Sequence, residues 1–387
     1  MVFGLYVLAT TLSFYCFIGE DEMRKKDLII RKVTARALNI PMNRPLMARH
    51  KFTHWVAVIV DIETEGEVRG HGYICPYLAS GVAAHIRIIE MLGEAYIGRT
   101  IAPSKMFDES MRSILTIGQN GVGLSALAAV DVALWDAFAK AQDAPLAVAL
   151  GSEISPVKSY NSCGLWRIPL DELEDEAIEL RDQYNFSAVK MRLGRETISE
   201  DIRAAQNVLN AIPETIVMSD FNQSLTYSDA VNRLRALDDI GLHWFEEPLI
   251  YSDLAGCARL SRKMRTPIML GENFYGPRDM HEALKARACD MVMPDLMRIG
   301  GVTGWMRAAA IAEQYSMAVS SHLMPEISAH LMLATPNRGW LEWTDWLEPI
   351  LKDPFEVQNG DVIVPNKSGV GIEWDDCLLY TSDAADE

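Results

Sequence analysis

The feature that most constrains this 387-residue chain is a repeat. After Gly151, short β-branched or apolar runs close near Tyr160, Lys190, Asp220, Glu246, Glu272, Asp295, His322 and Glu342, each ending on a polar residue and followed by an amphipathic helical pattern. Successive endpoints lie 30, 30, 26, 26, 23, 27 and 20 residues apart, the length of a strand, a helix and two short loops. Strands and helices that alternate through right-handed crossovers make a parallel sheet. Eight repeats close it into a β/α barrel whose chemistry sits at the C-terminal strand ends. An open doubly wound sheet repeats similarly, but it normally carries a glycine-rich dinucleotide turn after its first strand. The nearest glycine cluster here, Gly300-Gly301-Val302-Thr303-Gly304, comes late and lacks the G-x-G-x-x-G order. It reads as a tight strand-to-helix turn.

Ahead of the repeats, Leu28 to Cys75 alternates as three strands with a Glu65-Gly66-Glu67 turn, and helical spacing follows in Ala79–Tyr96, Lys105–Thr116 and Leu124–Ala141. The expected architecture is a modified TIM barrel (151–342) with an N-terminal α+β capping domain (23–150), closed by the C-terminal segment 343–376. The ends stand apart. Residues 1–19 are apolar and uncharged like a signal peptide, yet no basic residue precedes them and Glu20, Asp21 and Glu22 follow. Met23, opening Met-Arg-Lys-Lys, is the expected natural start, with 1–22 as an upstream segment. Residues 377–387 (CLLYTSDAADE) have no turn or helix logic and read as a sequencing or cloning scar.

A net charge of −17 repels phosphate backbones and anionic lipid, which argues against nucleic acid and membrane surfaces as partners. Small metabolites are the expected ligands. Six scattered cysteines without a CxxC pair signal neither zinc nor a disulfide framework and fit a reducing, cytoplasmic compartment.

Three acids carry the chemistry. Asp220 in Met218-Ser-Asp-Phe-Asn-Gln, Glu246 in Trp244-Phe-Glu-Glu-Pro and Glu272 in Leu270-Gly-Glu-Asn end consecutive runs at equal steps of 26 residues, which makes them neighbours on one rim. A lone acid of this kind reads as a solvated loop residue; a regular triple does not. Crowded anions raise one another's pKa unless a cation compensates, and an all-oxygen site with open positions suits Mg²⁺ or Mn²⁺ better than zinc. Opposite come Asp295 and His322, on adjacent units, where a carboxylate can grip one imidazole nitrogen and leave the other as a general base. Lys190 and Arg192 share a face by strand alternation and imply an anionic ligand such as a carboxylate.

At these residues the chain resembles the enolase superfamily, and within it the mandelate racemase subgroup (mandelate racemase / muconate lactonizing enzyme family). The likeness runs from about Leu28 to Asp375 and is densest in PDLMRIGGVTGW, SSHLMPEISAHL and WLE between Val292 and Glu342. It includes the ALAAVDVALWDAFAKA helix, in which Ala139 stands where glycine is usual. The resemblance implies that Asp220, Glu246 and Glu272 bind Mg²⁺, that His322 with Asp295 is the base facing an α-carbon, and that Glu342 donates a hydrogen bond to the substrate carboxylate. Lys190 would neutralise that carboxylate, with Ser162 and Asn222 as polar contacts. It also implies a homo-oligomer.

The reaction implied is abstraction of the α-proton of a 2-hydroxy carboxylate to a metal-stabilised enediolate. One departure selects among outcomes. Many of these proteins carry K-x-K, the second lysine being the opposite base, whereas this chain has Lys190-Met191-Arg192. Arginine is a poor proton acceptor at neutral pH. Dehydration of an acid sugar to a 2-keto-3-deoxy acid is therefore favoured over a 2-hydroxy-acid racemase or epimerase, with a non-catalytic metal-binding paralogue third. The polar, cationic run Asn43–Lys51, expected as a capping loop, points to a polyhydroxy substrate.

Overall fold

The computed structural model describes residues 28–47 and 51–375; the two end segments set apart above lie outside them. Strands β1 (Ile30–Met47), β2 (Lys51–Thr64) and β3 (Arg69–Ile74) form an antiparallel sheet in that order. Helices α1 (Val82–Tyr96), α2 (Pro103–Ser113) and α3 (Gly121–Lys140) follow. Alanine-rich α3 can lie close on β3 because β3 offers glycines: a Cβ at Gly72 would come within 2.4 Å of the Ala129 carbonyl oxygen. By length and composition α3 could cross a membrane, but most of it is buried in the core of this fold.

Strands β4 (Pro156–Asn161), β5 (Ala188–Arg192), β6 (Ile216–Asp220), β7 (Leu242–Glu246), β8 (Ile268–Leu270) and β9 (Met291–Val292) pair in parallel in sequence order. The seventh position is held by single bridges, Val292 to Val319 and Asp295 to His322. Strand β10 (Leu341–Trp343) then pairs with β4 and closes the barrel.

Helices α4 (Leu173–Asp182), α5 (Ile198–Ala211), α6 (Tyr227–Leu237), α7 (Leu254–Ser261) and α8 (Gly276–Ala286) follow β4 to β8. After β9 come α9 (Leu296–Ile299) and α10 (Gly301–Gln314), and α11 (Pro325–Leu333) follows the seventh position. The eighth unit departs from the repeat. Instead of a helix, β10 leads into the hairpin β11 (Glu356–Gln358) and β12 (Asp361–Ile363), whose second strand pairs antiparallel with the start of β4.

Side chains alternate along a strand, so one inward set builds the floor and the next builds the mouth. Tyr160, Ala188, Met218, Trp244, Met269, Met293 and Trp340 form one buried cluster inside the barrel. Two residues on from most of them stand Ser162, Lys190, Asp220, Glu246, Asp295 and Glu342. Tyr160 thus belongs to the floor and not to the rim where the repeat had placed it. On β8 the mouth position falls on Gly271, at φ 146° and with no room for a Cβ against Met293, so the acid arrives one residue later as Glu272.

The two units are joined by buried polar contacts. The glycine run is a tight turn, but between α9 and α10 and not directly from strand to helix as expected, with Gly300 at φ 99° and Gly301 at φ 72°. A side chain at Gly301 would strike Asp131 of α3, whose carboxylate accepts the Thr303 amide (2.8 Å) and hydroxyl (2.6 Å) at the start of α10. The C-terminal segment returns to the cap, where the Val370 amide donates to Asp136 at 2.7 Å. Tyr73 of β3 donates to Glu326 of α11.

Burial pushes the Glu326 carboxyl up to about 7, so the fold retains a proton that the unfolded chain releases near its ordinary value of 4.5. Stability from this group is complete at low pH and is lost as pH rises from about 4.5 to about 7, by at most on the order of 3 kcal/mol. Glu326→Gln should flatten that slope. Urea unfolding at pH 5 and pH 8 checks it: the wild type should lose more stability between the two than the variant, and equal losses would count against the assignment.

Candidate active site

Asp220 and Glu246 end neighbouring strands and face each other in register, and Glu272 joins them from the loop after β8. One carboxylate oxygen from each lies within 4.8 Å of the others. Asp220 and Glu246 are buried, and Trp244 Nε1 donates to Glu246 at 3.3 Å. Burial pushes Glu246 up to about 8 and raises Asp220, with Lys190 opposing both. For Glu272 burial acts the same way, but His322, Arg298 and Lys190 outweigh it and hold the carboxyl well below the ordinary range. The triple is thus short of compensating positive charge. Three convergent hard oxygen donors with that deficit fit a divalent ion such as Mg²⁺ or Mn²⁺.

His322 Nδ1 lies 2.8 Å from Asp295 Oδ2, while Asp295 Oδ1 caps α9 by accepting the Arg298 amide at 2.8 Å. Both oxygens of the carboxylate are therefore fixed, and so is the ring. Its Nε2 points into the mouth, 3.2 Å from Glu272 Oε2 and 3.9 Å from Glu342 Oε2. Burial disfavours the imidazolium, yet Glu272 and Glu342 outweigh it and hold His322 well above its ordinary value. Leu323 and Met324 follow, both at φ 51° in the left-handed region, at a cost of about 1 kcal/mol or more each. This turn delivers the Leu323 amide to Glu342 Oε2 at 2.8 Å.

Glu342 is an acceptor here. Lys190 Nζ (2.7 Å), the Ser162 hydroxyl (2.7 Å) and the Leu323 amide all donate to it, and although burial opposes ionisation, Lys190 and His322 bring the carboxyl down to about 2. The expected role as donor to a substrate carboxylate therefore requires that it first take up a proton. Lys190, 1% exposed, also lies 3.1 Å from Glu246 Oε1, so its charge is shared between two protein carboxylates. Asn222 donates to Asp220 through Nδ2 and through its amide, each at 2.7 Å.

Arg192 stands beside Asp220: the two are in register, with Nε 3.9 Å from Asp220 Oδ2. Its Nη1 donates to the carbonyls of Ser162 (3.2 Å) and Gly164 (2.9 Å), its Nη2 donates to the Ser162 hydroxyl (2.8 Å), and Trp166 stacks on it at 4.0 Å. Only Nε lacks a partner.

Above these groups opens a cavity of about 640 Å³. Among the described residues, the run Asn43–Lys51 does not present the expected polar lid. Asn43 donates to Asp345 and Arg44 pairs with Glu176 and Glu179, so these side chains are bound to the barrel, while Leu46, Phe52, Trp55 and Tyr77 of the cap line the cavity with Trp166 and Trp346. Residues 48–50 lie outside the described residues. Strand β1 shifts register between Pro41 and Leu46. Sequence reasoning also missed Arg298, Asn273 and Glu247, which surround Glu272 although each belongs to a motif already singled out.

A capped barrel with three acids and a histidine–aspartate pair at its mouth defines a class of carboxylate-handling, metal-assisted enzymes. Comparison with known proteins places the chain within it. Residues 30–151 match the mandelate racemase / muconate lactonizing enzyme N-terminal domain, and residues 172–377 match the enolase C-terminal domain-like model. The chain belongs to the mandelate racemase / muconate lactonizing enzyme family of the enolase superfamily. An L-talarate/galactarate dehydratase from Salmonella typhimurium is 29% identical over 84% of this chain and 82% of its own length. An enolase from alpha proteobacterium bal199, solved with bound Mg, superposes with a TM-score of 0.90 at 41% identity, covering 92% of this chain and 99% of that one. A Bradyrhizobium enolase in complex with magnesium and mandelic acid gives 0.89 at 31% identity with the same coverage. Relatives include both acid-sugar dehydratases and cycloisomerases or epimerases.

If the triple holds a cation, the folded state alone binds it, and Mg²⁺ at about a hundredfold above its dissociation constant should add about 2.7 kcal/mol of stability. Thermal unfolding with Mg²⁺ and with EDTA checks this. We expect a Tm higher by several degrees with the metal and no difference in Glu246→Gln; a shift that survives in that variant would locate the ion elsewhere.

Proposed function

We propose that this enzyme removes the α-proton of a 2-hydroxy carboxylate with His322 and expels the β-hydroxyl, converting an acid sugar to a 2-keto-3-deoxy acid. The observation that carries the reading is the pair of opposed environments at the mouth. His322 Nε2 faces the acid triple with Asp295 behind it, while Arg192 is held by carbonyls and a hydroxyl. Asp220, Glu246 and Glu272 would hold Mg²⁺, which supplies Lewis-acid stabilisation of charge developing on the substrate carboxylate. Asp295 keeps the imidazole oriented, and Nε2 takes the proton once the ring, whose charged form Glu272 and Glu342 favour, has released its own. The imidazolium so formed is the acid at hand for the departing hydroxide: the C–H and C–O bonds break, water leaves, and the enol becomes the keto acid. Lys190 and Ser162 hold Glu342 and Asn222 holds Asp220, and together they set the charge and orientation of the carboxylate groups at the mouth. We further infer a homo-oligomer working in the cytoplasm on a small hydroxy acid.

A second reading is favoured by the aromatic walls. Trp55, Phe52, Trp166 and Trp346 suit the apolar face of a sugar, but equally a 2-hydroxy acid with an aromatic substituent, for which the outcome is racemase or epimerase chemistry. Racemisation needs a proton acceptor on the other face, and the hydrogen bonds of Arg192 leave it a donor. Incubation in D₂O with a panel of acid sugars and aryl hydroxy acids separates the readings. Keto acid formed from a sugar supports the first, and deuterium in recovered substrate of inverted configuration supports the second. His322→Asn should reduce α-exchange by at least about 10³-fold while Mg²⁺ binding persists. Undiminished exchange in that variant would remove His322 as the base.

A further inference from the structure

The three acids at the mouth are not equally supported. Asp220 and Glu246 end paired strands and are held by the ladder between them. Glu272 follows a three-residue strand and the bend at Gly271, beyond the last paired residue of β8. What fixes it is a side chain from the next unit. Arg298 Nη1 donates to the Glu272 carbonyl at 2.9 Å and to Asn273 Oδ1 at 2.5 Å, and it lies 3.9 Å from Glu272 Oε1. Asn273 Nδ2 in turn donates to Glu272 Oε1 (2.9 Å) and to buried Glu247 (2.7 Å).

The same residue reaches the base. The Arg298 amide caps onto Asp295 Oδ1, the carboxylate whose other oxygen grips His322. One arginine thus touches the third acid through its guanidinium and the histidine's partner through its backbone. The cap touches it as well. Tyr77 places its ring 5.1 Å from the Arg298 guanidinium carbon, adopts φ 64°, a rare conformation for an aromatic residue, and packs edge-on to Trp55 of the cavity wall at 5.4 Å.

We propose that Arg298 is a positioning residue that sets Glu272 and the His322–Asp295 pair in one geometry, and that Tyr77 of the cap holds it in that pose. The proposal rests on the metal-binding reading of Asp220, Glu246 and Glu272. It assigns the cap a role in the order of the metal centre as well as in covering the cavity. A guanidinium serves two acceptors and a ring face at once; an ammonium at the same place keeps the charge but loses the fork.

The test is Mg²⁺ titration by calorimetry on the full-length wild type, Arg298→Met, Arg298→Lys and Tyr77→Leu, with circular dichroism and Tm as fold controls and kcat and KM on the substrate found above. Supporting partners of metal ligands are typically worth about 10–100-fold in affinity. Arg298→Met should weaken Mg²⁺ by that factor and lower kcat while KM for the acid moves far less. Arg298→Lys should recover only part, and Tyr77→Leu should weaken Mg²⁺ about threefold or more in the same direction. Joining Tyr77→Leu to Arg298→Lys should cost less than the separate factors multiplied, because both act on one pose. Folded Arg298→Met with wild-type Mg²⁺ affinity would overturn the proposal. Should that variant fail to fold, wild-type affinity in Arg298→Lys and Tyr77→Leu would do the same. A wild type that binds no Mg²⁺ would overturn the metal reading itself, and this proposal with it.

Discussion

Everything at the barrel mouth answers to an imbalance of charge. Asp220, Glu246, Glu247, Glu272, Asp295 and Glu342 are all withdrawn from bulk water, and Lys190, Arg192, Arg298 and His322 are the positive or protonatable groups among them. Each available cation is drawn in more than one direction: Lys190 between Glu246 and Glu342, His322 between Asp295 and Glu272. In a low-dielectric cleft such an excess of anions is tolerated only by holding protons or by admitting a counter-ion. The upward shift of Glu246 expresses that constraint, while His322, Arg298 and Lys190 hold Glu272 down. A site under this tension attracts a metal ion, and then a substrate anion that shares it.

The same constraint bears on Arg192. Its charge stands 3.9 Å from Asp220 Oδ2 and offsets part of the excess, but its Nη donors do not bond to the acids. Carbonyl oxygens of the loop after β4 instead take its donors, and Trp166 covers its face. That loop is itself set by strain, with Leu165 at φ 53° and its amide held by Glu176, which also pairs with Arg44 of the cap.

Much of this was legible in the sequence because barrel geometry is periodic. Equal steps between Asp220, Glu246 and Glu272, and a polar end on each run, are direct consequences of strand alternation and repeat length, and alternation likewise ties Met218 and Trp244 in the floor to the acids above them. What escaped was aperiodic. Tyr160 looked like a rim residue because a run ends there, but it lies one inward step below. The eighth helix was lost to a hairpin that competes for the first half of β4. Arg298 carries no spacing signal, since its reach depends on a four-residue helix whose start is fixed by Asp295. The cap loop was misread because composition reports charge and not direction: Arg44 is cationic, yet it faces acids on the barrel flank.

That last error bears on how reaction and specificity are divided. The barrel sets the charged floor of the cavity, since Asp220 and Glu246 sit on paired strand ends and Glu272, Asp295 and His322 on the turns that follow them. The cap supplies Leu46, Phe52, Trp55 and Tyr77 to the cavity wall from outside the closed sheet, so the surface that meets the rest of a ligand is built by a different unit from the one that carries the acids. Apolar walls do more than select. By excluding water over the mouth they strengthen each charge interaction beneath, and the acidity gained by a carbon-bound hydrogen depends on that strengthening. A polar lid would have left the same residues in place and weakened their effect, so the aromatic cap belongs to the catalytic electrostatics as much as to the choice of ligand.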